Sequence, residues 1–116
     1  MAIKIKDTDV LRDILQVPYD TMLIHLIQWI GTRFSDVVIT CGFREDDKGV
    51  HGTIPCRGVD IRSWIYNNPQ EVVDEINSHF IYDPERPEMK CAVLHNSGQG
   101  DHIHLQSHRN ADYLGG

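Results

Sequence analysis

The run Asp36-Val37-Val38-Ile39-Thr40-Cys41 constrains this chain more than any other segment. Consecutive β-branched residues pack well on a pleated surface and lose side-chain freedom in a helix, so the run predicts a strand. Just before it, Met22, Leu23, Leu26, Ile27, Trp29 and Ile30 leave little polar surface on a segment that Asp20 can cap. That pattern predicts a buried core helix from Asp20 to about Ile30, with Gly31 as its C-terminal stop. A core helix beside a core strand commits the chain to layers, with helix packed on sheet.

The flanking segments extend this plan. Asp7, Thr8 or Asp9 can cap a short helix carrying Val10, Leu11, Ile14 and Leu15 on one face, ended by Pro18. Gly42 to Gly52 is polar and glycine-rich and predicts a loop, and Gly58-Val59-Asp60-Ile61 predicts a second strand. Asn68 caps a helix with Pro69 in its first position, Glu71 in its first turn and Val72, Val73 and Ile76 on its apolar side. After the turn-rich Asp83–Pro87, a strand from Met89 to His95, a loop over Asn96–Gly100 and a strand from His102 to Gln106 predict an antiparallel hairpin. The tail beyond His108 reads as loosely ordered. The expected fold is α+β, one domain over residues 1–116, with a small mainly antiparallel sheet and helices on one face.

Composition excludes several classes. The three cysteines, Cys41, Cys56 and Cys91, are odd in number and form no CxxC pair, which argues against a disulfide framework and a cysteine-rich metal site. The N-terminus has lysines but no apolar stretch after them, so no secretory signal is expected. Met22–Ile30 is interrupted by His25 and Gln28, so no membrane insertion is expected. A net charge of −6 argues against a nucleic-acid partner.

Seven histidines are many for 116 residues. Asp101-His102-Ile103-His104 places both imidazoles on one face of a strand, where they can share a metal or divide metal binding and proton transfer. His51 stands in the glycine-rich loop. Asp60 stands between Val59 and Ile61 in a strand, where a carboxylate is costly to bury without a partner. A metal would supply that partner; a simple turn or cap would also account for Asp60. His51, Asp60 and His104 offer two nitrogens and one carboxylate and leave a position for water, the ligand logic of a catalytic Zn²⁺ site.

The ordered motifs Val38-Ile39-Thr40-Cys41-Gly42-Phe43-Arg44, His51, Arg57-Gly58-Val59-Asp60-Ile61 and His102-Ile103-His104 resemble the zinc D-Ala-D-Ala peptidases of the hedgehog and D,D-peptidase superfamily. The resemblance runs from about Val37 to Gln106. It implies zinc held by His51, Asp60 and His104, a general base at Asp101 or His102, and Arg44 stabilising charge on the substrate carbonyl. It implies a peptidoglycan stem peptide as substrate, cut by a D,D-carboxypeptidase or endopeptidase, and the lack of a signal suits a phage lysis enzyme. The chain departs from the pattern in a longer gap between His51 and Asp60, eight residues, and in an aspartate, Asp101, where the family has glutamate. Those departures favour the rival expectation, a phage structural or binding module that keeps zinc without turnover. Cys56 is a further possible ligand. His95 could stand beside the site, Trp64 and Tyr66 could line a groove, and His25 and His79 are read as structural.

Overall fold

The computed structural model describes residues 2–97 and 100–115. In chain order they form β1 (Ala2–Ile5), α1 (Thr8–Leu15), α2 (Thr21–Phe34), β2 (Asp36–Cys41), a short 3-10 turn (Val50–Gly52), β3 (Gly58–Arg62), α3 (Pro69–His79), β4 (Phe80–Ile81), β5 (Ala92–Ser97), β6 (Gly100–Gln106) and β7 (Asp112–Tyr113). The main sheet has five strands in the order β1-β2-β3-β6-β5. Only β1 and β2 run parallel; the other pairs are antiparallel. The expected α+β class with a mostly antiparallel sheet and helices on one face is the observed one.

The period-two alternation of strands decides which residues face the helices. Val37, Ile39, Val59, Ile61, Ile103 and Leu105 join Leu23, Leu26, Ile27 and Ile30 of α2 and Val72, Val73 and Ile76 of α3 in one core. The interleaved residues Asp60, Arg62, His102 and His104 therefore point to the opposite face. The helix starts follow the expected chemistry. Asp7 and Asp20 accept backbone bonds from Val10 and Leu23, and Asn68 accepts from Glu71 with Pro69 in the first position.

Several expectations need correction. Gly31 does not stop α2; it is buried inside a helix that continues to Phe34. The extra turn lets Phe34 pack on the core and Arg33 reach Glu75 of α3 at 2.9 Å. Ser35, at φ 84°, ends the helix instead. Leu11 and Leu15 of α1 are exposed and only Val10 is buried, because the short helix lies toward the edge of the sheet. Residues Ala2–Ile5, read only for the absence of an apolar leader, form an edge strand. The tail is not loose throughout: Asp112–Tyr113 pairs with Phe80–Ile81, and Tyr113 packs against Phe80 and His25, both ring centroids at 5.0 Å. The strand expected from Met89 begins at Ala92. Of the loop expected at Asn96–Gly100, Asn96 and Ser97 extend β5 and Gly100 opens β6, while Gly98 and Gln99 lie outside the described residues.

One irregularity matters for the site. Ile39 pairs with Ile61, but Cys41 pairs with Asp60, so β2 advances two residues while β3 advances one. This β-bulge breaks the alternation and turns Cys41, which would otherwise share the core side of Ile39, toward Asp60.

Ile103 is fully buried near the middle of the sheet. Ile103→Ala is expected to cost about 2–5 kcal/mol through lost burial and the cavity left behind, read as a lowered urea midpoint with unchanged slope.

Candidate metal centre

The site is assembled on Asp60, whose carboxylate is buried although its strand neighbours are apolar. Register supplies the first partner. Asp60 lies opposite His104 across the β3–β6 ladder, and His104 Nδ1 is 3.0 Å from Asp60 Oδ1. The 3-10 turn supplies the second: His51 Nε2 is 3.2 Å from the same oxygen. Arg44 Nη2 and His102 Nε2 each lie 3.8 Å from Asp60 Oδ2.

Both imidazoles have their outer nitrogen fixed. His51 Nδ1 donates to the carbonyl of Gly42 at 3.0 Å, which leaves Nε2 aimed at Asp60. For His104 the outer atom is Nε2, 3.1 Å from Gln106 Oε1. The Gln106 amide is oriented by its own donation to the Lys90 carbonyl at 2.7 Å, so its oxygen faces the ring. A histidine whose far nitrogen donates to an oxygen offers its near nitrogen's lone pair to a metal once that nitrogen gives up its proton, the arrangement that metal-ligating histidines adopt.

The long gap between His51 and Asp60 is taken up locally. The Thr53 hydroxyl shares its one proton between the Pro55 carbonyl at 2.9 Å and the Val50 carbonyl at 3.1 Å and accepts from Arg57 N at 3.0 Å, which closes residues 53–57 into a compact loop. Cys56, a possible ligand from the sequence, is fully buried with its Sγ 3.3 Å from the Gly58 carbonyl and 3.6 Å from that of His51. Burial also pushes its thiol pKa up. It holds the His51 loop. The Arg44 amide donates to the His51 carbonyl at 2.8 Å, tying the two site residues together. Gly52 has to be glycine, because a Cβ there would collide with the carbonyl of Asp47.

The cysteine at the centre is Cys41, the last residue of β2. Its Sγ accepts from Arg44 Nε at 3.0 Å. Ligand atoms of Cys41, His51 and Asp60 all lie within 4.8 Å of one another, a group that could hold a metal ion; His104, the third expected ligand, reaches Asp60 but is not a member of that group. Only the bulge brings Cys41 there, and no sequence signal marks it.

The other expected residues fall around a cleft of about 300 Å³ that opens on Cys41, Asp60 and His102 and is walled by Arg44, Arg62 and Trp64. Trp64 is 72% exposed, with the Arg62 guanidinium 4.8 Å from its ring centroid. Tyr66 turns away and donates to the Asp36 carbonyl at 2.7 Å. Asp101 is exposed at the cleft, but the alternation that brings His102 and His104 over Asp60 places it in phase with Ile103 and Leu105. His95 flanks the centre, with its ring 5.5 Å from that of His102 and 5.8 Å from that of His104. His25 packs on Phe80, and His79 Nδ1 lies 2.9 Å from the Glu75 carbonyl.

The electrostatics are those of a charge cluster compensating itself. Burial opposes ionisation of Asp60, but hydrogen bonds from His104 and His51 and the nearby positive charge outweigh it, and its pKa lies well below the usual carboxylate range. Burial likewise opposes the His51 cation; hydrogen bonding to Asp60 and Cys41, and their charge, win and raise its pKa to about 10. Comparison with family models, with curated proteins and with solved structures finds no match to this chain.

In the metal-free protein both shifts stabilise the folded state. The Asp60 contribution is present above its ordinary value of 3.8 and is lost as pH falls through its depressed folded value. That of His51 is complete below its ordinary value of 6.5 and is lost as pH rises toward about 10. Urea midpoints of the metal-free protein are therefore expected to be highest in the window from about pH 4 to 6.5 and to fall on both sides. In Asp60→Asn the profile should be flatter.

Proposed function

We propose that this chain is a zinc-dependent peptidase that hydrolyses amide bonds of peptidoglycan stem peptides, as a D,D-carboxypeptidase or endopeptidase of the phage-lysis kind. The observation that carries the reading is the convergence of His51 Nε2 and His104 Nδ1 on Asp60 Oδ1, each ring with its outer nitrogen engaged elsewhere. The donor set fits zinc: two imidazoles and a carboxylate suit this ion, and all three come from the motifs on which the resemblance to the D-Ala-D-Ala peptidases rests. When bound, zinc supplies a Lewis acid for a carbonyl and lowers the pKa of a water to about 7.

The chain's own residues would do the rest. His102 stands on the cleft wall with its ring partly exposed, placed to accept a proton from an attacking water and return it to the leaving amine. Arg44 borders the same cleft, held by Cys41 and Asp60, and would stabilise negative charge developing on the carbonyl oxygen. One such donor is commonly worth on the order of 3 kcal/mol in the transition state. The exposed Trp64 offers an apolar platform for a peptide.

One observation favours a second reading, a zinc-binding phage module without turnover. Asp101 replaces the family's glutamate and sits exposed, in phase with the core-facing residues of β6 rather than with His102 and His104.

Elemental mass spectrometry and digestion of purified peptidoglycan separate these readings. About one zinc per chain is expected, lost in His51→Ala and in Asp60→Ala. His102→Ala is expected to retain zinc and lose hydrolysis by roughly 100-fold or more. A full complement of zinc with no hydrolysis by the parent protein would establish the module. A parent protein that takes up no zinc, even when offered it, would sink both.

A further inference from the structure

Cys41 is a close neighbour of the His51–Asp60 pair to which the peptidase resemblance gives no role. Four observations bear on it. The β-bulge turns its side chain out of the core phase of Val37 and Ile39 and onto the site face. Its Sγ lies within 4.8 Å of ligand atoms on both His51 and Asp60. Arg44 Nε donates to that sulfur at 3.0 Å, which holds the side chain in place on the site face. Finally, Cys41 is half-buried and borders the cleft together with Asp60 and His102, whereas neither His51 nor His104 does. The sulfur therefore stands on the open side of the centre, where a catalytic zinc site keeps its place for water.

We propose that Cys41 is a fourth metal ligand, on the cleft side of the His51–Asp60–His104 set, so that the resting protein holds its ion in a closed site. The inference rests on the metal reading given above and deepens it. Thiolate, imidazole and carboxylate together form a set that zinc and cobalt accept readily and that magnesium and calcium do not. A closed set of four protein ligands is the pattern of a structural site. A sulfur at the cleft edge is also the ligand most easily removed from outside, since Cys56 and Cys91 are buried. The peptidase reading then requires the Cys41 sulfur to leave the set before hydrolysis, with His51, Asp60 and His104 holding the ion and one position open.

Cobalt makes the sulfur visible. Metal-free parent protein, titrated with Co²⁺ under reducing conditions, is expected to show a sulfur-to-cobalt charge-transfer band in the near ultraviolet. Cys41→Ser should lose that band, and so should parent protein alkylated with iodoacetamide before the titration. The opened position should also be measurable. Azide should shift the visible cobalt spectrum of Cys41→Ser and leave that of the parent unchanged. Peptide mapping provides a variant-free check, because bound zinc should protect Cys41 of the parent protein from alkylation. Cobalt bound by the parent without a sulfur band, a band that survives in Cys41→Ser, or a parent spectrum that responds to azide would each overturn the inference while leaving the metal site in place. A parent protein that binds no cobalt would overturn the metal reading along with it.

Discussion

The structure depends on a buried negative charge. Asp60 sits in β3, whose neighbours Val59 and Ile61 belong to the core. A carboxylate in that position is tolerable only with its oxygens engaged and its charge opposed. His104 is brought to it by ladder register, His51 by a turn closed through Thr53, and Arg44 by a backbone bond to His51. Each device is a local piece of chain geometry, and each would have little purpose without the carboxylate. Among the described residues no buried side-chain nitrogen or oxygen lacks a partner. The polar face of the sheet is thus a satisfied network rather than a scatter of histidines.

The division of the sheet into two faces makes this possible. One face is sealed by α2 and α3 with aliphatic residues, which supplies the burial that folds the chain. The other is left open over Arg62 and His102, so the same strands carry the apolar core and the polar cluster around Asp60 on alternate residues. A rigid strand is a better mount for a metal centre than a loop, because neighbouring hydrogen bonds hold each Cα in place. Of the proposed metal ligands only His51 comes from outside a strand, on the 3-10 turn, and its ring is locked by the Gly42 carbonyl and its loop by the Cys56 sulfur.

Much of this was legible in the sequence. The β-branched run, the apolar helix before it and the Asn68-Pro69 start carry signals strong enough to survive tertiary context. The three motifs holding His51, Asp60 and His104 meet in space in the way their strand and turn assignments suggest. The failures have physical causes. Gly31 looked like a stop because local propensity counts backbone entropy, yet the packing of Phe34 and the pair between Arg33 and Glu75 outweigh it. Ala2–Ile5 is too short to announce itself and becomes a strand by pairing with β2. Tyr113 orders the tail through aromatic contacts far away in sequence. The place of Cys41 was not legible, because strand alternation does not foresee a break in the ladder.

That broken ladder means that the chemistry of the centre is written partly as a count. A bulge is a single surplus residue, and its effect is to change the parity of everything beyond it on β2. The same chain with Thr40 removed would keep its apolar pattern up to Ile39 and bring Cys41 one place nearer. The sulfur would then meet β3 in ordinary register, and Gly42, whose carbonyl orients His51, would move with it. The length of the short stretch between Ile39 and Gly42 therefore sets which β2 side chains stand against Asp60, not the size of a loop.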